Sequence, residues 1–325
     1  MQGRADRAAA IRDHVLDAIP PASGAVVMGT GIVSIALLLD HQKTLSAVLL
    51  VLDAVIWVAL AALLPARALA DAERFRADSS HPAALTSIAG TSVLGTRLTL
   101  LGWHWAGAVA LVIALAIWLG LVPRVLDRWQ VPTVGASFIL TVATESLALL
   151  GGTLAFGERA RWLLYASLVP FCLGLVFYGF VLSRFQFRQL RVGSGDHWVT
   201  GGALAISTVA GGRIALAAQH TGALSGALGA LKTIALVLWG LTMAWLPALL
   251  AAEALHPRLH YNVRRWSTVF PVGMYAACSF VVGALTGTRG ITDFARVWVW
   301  VALAFWFAVF AAMLRRAPGL LRGGQ

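Results

Sequence analysis

Ala89-Gly-Thr-Ser-Val-Leu-Gly95 lies in one apolar run of this 325-residue chain, and Ala110-Leu-Val-Ile-Ala-Leu-Ala-Ile-Trp118 lies in the next. The first is built of small side chains and hydroxyls. The second is bulky, aliphatic and closed by a tryptophan. The same alternation recurs along the chain. Small-residue stretches return at Gly29-Thr-Gly-Ile-Val-Ser34, at Ala143-Thr-Glu-Ser-Leu147, at Ile206-Ser-Thr-Val-Ala-Gly211 and at Ala277-Cys-Ser-Phe280. Bulky runs stand between them, and the last holds Trp298, Trp300, Phe305, Trp306, Phe307 and Phe310. Anchored on Thr30, Thr91, Thr144, Thr208 and Ser279, the repeats are 61, 53, 64 and 71 residues apart, about one helical hairpin each.

The composition fits a membrane. Apolar residues make up 59% of the chain and charged residues 12%, where a soluble domain carries roughly 25% charged residues. A hydrocarbon core about 30 Å thick takes roughly 20 helical residues to cross. Ten stretches qualify: Ala22 to Leu39, Thr44 to Leu64, His81 to Leu101, Trp105 to Val122, Thr133 to Leu150, Arg161 to Leu182, Trp198 to Ala218, Ala227 to Leu250, Ser267 to Leu285 and Phe294 to Leu314. Backbone groups in lipid must be satisfied within the segment, and these runs lack the polar–apolar alternation of barrel strands. The expected fold is an all-α polytopic membrane protein of ten transmembrane helices in five hairpins. Small residues let backbones approach closely, and bulky surfaces suit lipid. The odd helices are therefore expected to form an inner ring around a central pore, with the even helices outside. Residues 1–21 and 315–325 are expected as tails of a 22–314 membrane domain.

The net charge of +11 is not a nucleic-acid signature, because its distribution is topological. The termini and even-numbered loops hold 17 of the 25 Lys and Arg, among them Arg4, Arg7, Arg12, Arg67, Arg124, Arg258, Arg264 and Arg265. The positive-inside rule then places both termini in the cytoplasm, and a cell inner membrane is the expected location. No apolar h-region precedes a small-residue cleavage site, so no signal peptide is expected. The segment Ala5 to Ile19 is either an amphipathic interfacial helix or a frayed tail. Cys172 and Cys278 stand in separate apolar runs and read as small buried hydrophobes.

No phosphate loop, nucleophile elbow or paired catalytic carboxylate is present, so the chain does not read as an enzyme and no organic or metal cofactor is implied. His256 and His260 have i, i+4 spacing, but Pro257 and their loop position argue against a metal site. Ionisable residues within the membrane are costly and mark function by default. Glu145, in the middle of the fifth span, is a candidate coupling carboxylate or a structural hydrogen-bond partner. Asp53, in an outer span, reads as a packed or paired carboxyl. Arg97 and Arg213 lie six and five residues beyond Thr91 and Thr208. Both are candidates to attract anions at the outer mouth, or to snorkel to the interface. Pro271 can bend the ninth span and push the preceding ring, Phe270, toward the path.

Met28-Gly-Thr-Gly-Ile-Val-Ser34, Val142-Ala-Thr-Glu-Ser-Leu-Ala-Leu-Leu-Gly151 and Trp266-Ser-Thr-Val-Phe-Pro-Val-Gly273 resemble the tellurite-resistance/dicarboxylate transporter family, which includes the slow-type anion channels of plant guard cells. The resemblance runs from about Ala22 to Leu314. It implies quasi-five-fold symmetry, one pore per subunit lined by the odd helices, and homotrimers. It also implies a pore-blocking phenylalanine on helix nine in a Trp-x-x-x-Phe context, which Trp266 and Phe270 match; Phe280 is the fallback. The expected activity is transmembrane transport of a small inorganic or organic anion. Thr30, Ser34, Thr91, Thr144, Ser207 and Thr208 would line the path and Phe270 would gate it. The alternatives are a proton-coupled dicarboxylate or oxyanion exporter that uses Glu145 and, behind it, a non-transporting structural or sensory membrane protein.

Overall fold

The computed structural model describes residues 20–192, 195–257 and 261–322, with residues 317–322 as backbone alone. Arg4, Arg7, Arg12, Arg258, His260 and the segment Ala5 to Ile19 lie outside the described residues. Ten long helices follow one another: α1 (Gly24–Leu39), α2 (Lys43–Ala70), α3 (Thr86–Leu100), α4 (His104–Asp127), α5 (Ile139–Gly157), α6 (Arg161–Leu182), α7 (Val199–Thr221), α8 (Leu228–Leu255), α9 (Trp266–Thr286) and α10 (Arg289–Arg322). Nine of these, taken with their leading turns, are long and apolar enough to cross a membrane. The tenth, α3, has 15 residues and is extended by the 3-10 turn Pro82–Leu85.

The small-residue helices are the buried ones. In α1, α5, α7 and α9 between 83% and 100% of the most apolar stretch is covered by protein; in the even helices the share is 17% to 33%. α3 is buried along almost its whole length. Each inner helix packs on the next, α1 on α3, α3 on α5, α5 on α7 and α7 on α9, and α9 closes on α1. Each outer helix packs on its own inner partner and on the inner helix that follows: α2 on α1 and α3, α4 on α3 and α5, α6 on α5 and α7, α8 on α7 and α9, and α10 on α9 and α1. The result is a closed five-membered ring with five helices wedged into its outer seams. Close approach depends on glycine. A Cβ at Gly24 of α1 would lie 2.6 Å from the Thr86–Ser87 backbone leading into α3, and one at Gly202 of α7 would lie 2.6 Å from Pro271 of α9.

A 3-10 turn precedes every inner helix: Pro21–Ser23, Pro82–Leu85, Gly135–Phe138, Asp196–Trp198 and Val263–Arg265. Two begin with proline, which suits a first helical position where no N–H is needed. The His81 ring accepts from the Ala83 N–H and the Asn262 side chain from the Arg264 N–H, so these starts are capped.

The helices outrun the apolar spans in several places. α2 has 28 residues, about 42 Å at 1.5 Å per residue, and continues past Leu64 to Ala70. α10 continues past Leu314 to Arg322, so the expected tail from 315 is helical up to that residue. Charged residues at these ends leave the hydrocarbon without breaking the backbone ladder. Cys278 is buried as expected, whereas Cys172 is exposed on the outer surface of α6.

Candidate functional site

The repeat hydroxyls face outward. The indole N–H of Trp306 on α10 donates to Thr30 Oγ1 at 3.0 Å, that of Trp57 on α2 to Thr91 at 2.9 Å, and that of Trp118 on α4 to Thr144 at 3.0 Å. Trp239 on α8 does the same to Ser279 at 2.9 Å. In each case an outer helix clasps the inner helix of the next hairpin. A tryptophan N–H in hydrocarbon needs an acceptor, and the inner ring supplies one in four of its five seams. Trp57, Trp118 and Trp306 each stand 27 residues after the hydroxyl of their own hairpin, respectively Thr30, Thr91 and Ser279. At α6 the same offset from Thr144 falls on Phe171, which has no N–H to give and packs against Gly211 of α7. There Thr208 meets Thr242 of α8 instead, at 3.3 Å.

The other expected path-lining hydroxyls are bonded across helices in the same way. Thr91 and Thr144 also donate to the carbonyls of Ser87 and Leu140. Their single donor and one acceptor position are spent, and Thr30 is bonded to the outer ring. Ser34 and Ser46 exchange hydroxyl-to-carbonyl bonds of 2.7 Å between α1 and α2. Ser207 donates to Glu145 Oε1 at 3.0 Å. All six expected hydroxyls therefore have hydrogen-bond partners on neighbouring helices. Trp118→Phe should lower stability by about 0.6–1.7 kcal/mol, the range for interhelical hydrogen bonds in membranes, and leave anion flux unchanged. Thermal unfolding in detergent and a liposome flux assay check both halves.

The axial faces follow by subtraction. On α9, Ser279 meets α8, while Gly283 and the Val272 carbonyl meet Thr292 and Trp298 of α10, so that side points outward. Val269 and Gly273 meet α1; Pro271 and Val281 meet α7. At 100° per residue, the face left for the axis carries Phe270 and Ala277. Phe270 is fully buried there. On α1 the corresponding face carries Met28 and Ile32, and on α5 Val142 and Leu149, all buried. On α7, Ser207 faces α5, Thr208 faces α8, and Gly202 and Gly212 face α9, which leaves Ile206, Ala210 and Arg213 for the axis.

The two arginines part company. Arg97 Nε reaches Ser34 and Ser46 at 3.2 and 3.1 Å and lies in the α1–α2–α3 seam. Arg213 is 8% exposed, its Nε is buried without a partner, and it forms no ion pair among the described residues. A Cβ at Gly152 would touch the Arg213 backbone, and one at Gly95 would touch Leu150, so Thr153 and Thr96 lie near the level of Arg213. On their helices they fall on the axial face. Gly202 lies at the level of Pro271, and Arg213 is eleven residues further along α7, roughly 16 Å at 1.5 Å per residue. By this placement the inward faces carry buried apolar side chains at the level of Phe270, and two threonines and a guanidinium at the level of Arg213.

The two membrane carboxyls are off this axis. Glu145 is fully buried between α5, α6 and α7, where a Cβ at Gly174 of α6 would lie 2.5 Å from its Cγ. Its Oε2 has no hydrogen-bond partner among the described residues. Asp53 on α2 points at α1, where a Cβ at Gly31 would lie 2.7 Å from its Oδ2, and both of its oxygens lack partners. Among the described residues no group of three or more His, Cys, Asp or Glu is placed to hold a metal.

Two relatives, uncharacterized membrane proteins from two strains of Mycobacterium tuberculosis, are each 32% identical to the chain over 135 residues, which is 40% of this chain and 68% of the relative. The family model described as voltage-dependent anion channel matches residues 18–314, a span that takes in the whole inner ring and its outer clasps. The chain is a membrane protein that belongs to the voltage-dependent anion channel family.

Proposed function

We propose that this protein passes small anions along the axis of its inner ring, with Phe270 as the closed gate and Arg213 as the site that draws the anion in. The observation that carries the reading is the full burial of Phe270 on the axial face of a ring in this family. An aromatic constriction gates by excluding water. Beyond it, a buried arginine with no carboxylate partner offers a charge and several N–H donors to an anion that has shed water. Nearby threonines can solvate the anion weakly enough to release it. In this reading the arginine-rich end is cytoplasmic, as are both termini, and the membrane is a cell inner membrane. Assembly as a homotrimer rests on the family resemblance.

Glu145 decides between conduction and proton coupling. Its position in the α5–α6–α7 seam, with Oε1 bonded to Ser207, supports a structural role and a passive pore. Glu145→Gln preserves that bond to the carbonyl oxygen. It should leave the anion current of the full chain in planar bilayers unchanged, with or without a pH gradient. Loss of transport in that variant, with the protein still folded, would establish the coupled exporter of dicarboxylates or oxyanions such as sulfite or tellurite.

A further inference from the structure

Between the outer helices α2 and α4 the surface opens into a groove of about 600 Å³. Leu60 and Leu64 form its wall on α2, and Ile113 and Ile117 its wall on α4. Both are i, i+4 pairs, so each wall is a continuous aliphatic stripe. At the inner end stands Trp57, whose N–H is spent on Thr91. The opposite end is basic. Arg67 is held there by Asp78 of the short helix Ala72–Ser79, while Arg124 is exposed and forms no ion pair among the described residues. From Trp57 to Arg67 is ten residues of helix, about 15 Å, which is half of a hydrocarbon core about 30 Å thick. The groove is one leaflet deep and has its charge at the membrane surface.

We propose that this groove is a binding site for an anionic phospholipid of the leaflet at the arginine-rich end, with one acyl chain between α2 and α4 and the headgroup phosphate on Arg124. The apolar length matches one chain of one leaflet. The free guanidinium matches a phosphate, which it can hold by charge-assisted hydrogen bonds. The site lies on the outer ring, apart from the axis. Its inner end abuts the Trp57–Thr91 clasp that ties α2 to the inner ring.

Gly120 lines the groove, and a Cβ there meets nothing within 4 Å. Gly120→Trp therefore places an indole at the groove from a Cβ that meets nothing, at a position where glycine is the poorer helix former. The test is native mass spectrometry of the full chain, released from micelles that contain equal amounts of phosphatidylglycerol and phosphatidylcholine. The wild type should retain phosphatidylglycerol in preference. Arg124→Gln should reduce that preference about five-fold, the effect of one basic residue near an anionic surface. Gly120→Trp should retain neither lipid while eluting and melting as the wild type does. Equal retention of the two lipids by the wild type, or retention unchanged in Gly120→Trp, would overturn the proposal. So would an oligomer of this chain that holds no lipid and dissociates when Gly120 is replaced, because a second copy would then be the occupant.

Discussion

If Phe270 is the gate proposed above, Phe270→Ala will raise anion flux into liposomes by roughly an order of magnitude or more, because it removes the ring proposed to exclude water from the axis. The side chain is fully buried, and so are the residues that Met28, Ile32 and Val142 contribute to the same closed core. A Cβ at Gly202 would lie 2.6 Å from Pro271, so the start of α9 packs closely on α7. Ordinary core packing makes a different forecast. A buried phenylalanine truncated to alanine costs about 3–5 kcal/mol of stability and opens no path. Chloride or nitrate flux, measured beside the melting temperature of the same preparation, separates the two. Lost stability with background flux would make Phe270 a packing residue.

Arg213→Gln should have the next largest effect. The guanidinium is nine-tenths buried and has no carboxylate partner among the described residues, an arrangement costly in a membrane. On the proposed reading, an anion on the axis offsets that cost. A hydrogen bond to a charged group contributes about 1.5–3 kcal/mol, which corresponds to roughly a ten- to hundred-fold change in anion occupancy. Measured in the Phe270→Ala background, Arg213→Gln should depress flux at low anion concentration by about that factor. Arg97→Gln should instead act on stability, because Arg97 is bonded to Ser34 and Ser46. Equal effects of the two substitutions on flux would contradict the assignment.

The two-ring architecture is readable in the sequence because burial and lipid exposure demand different side-chain volumes. Ala89–Gly95 can only sit where backbones crowd, and Ala110–Trp118 can only gain by facing acyl chains. The direction of each inner face is a finer matter. A threonine hydroxyl in a small-residue helix suits a pore and a ring-to-ring clasp equally well. The structure gives Thr30, Thr91 and Thr144 to the clasp because a buried indole N–H must find an acceptor. One signal was present: the 27-residue offset from Thr30, Thr91 and Ser279 to Trp57, Trp118 and Trp306. The arginines show how little separates a seam from an axis. Arg97 and Arg213 lie six and five residues past their anchors, and one residue turns a helix by about 100°. That rotation sends Arg97 Nε to Ser34, with its Nη1 still unpaired, and leaves Arg213 without a partner among the described residues. The proposal for Phe270 rests on family resemblance, since one aromatic in an apolar span carries no periodic signature.

The most direct measurement is thiol accessibility. Single cysteines at Ala277, Ala210 and Thr144, in a chain whose Cys172 and Cys278 are replaced, would be exposed to a water-soluble thiol reagent in proteoliposomes, with Phe270 and with Phe270→Ala. The axial positions 277 and 210 should label quickly only when the ring at 270 is gone, and position 144, behind its tryptophan clasp, should stay protected in both. Rapid labelling at 144 with protection at 277 and 210 in the Phe270→Ala background would show that the water-filled route does not follow the axis of the inner ring.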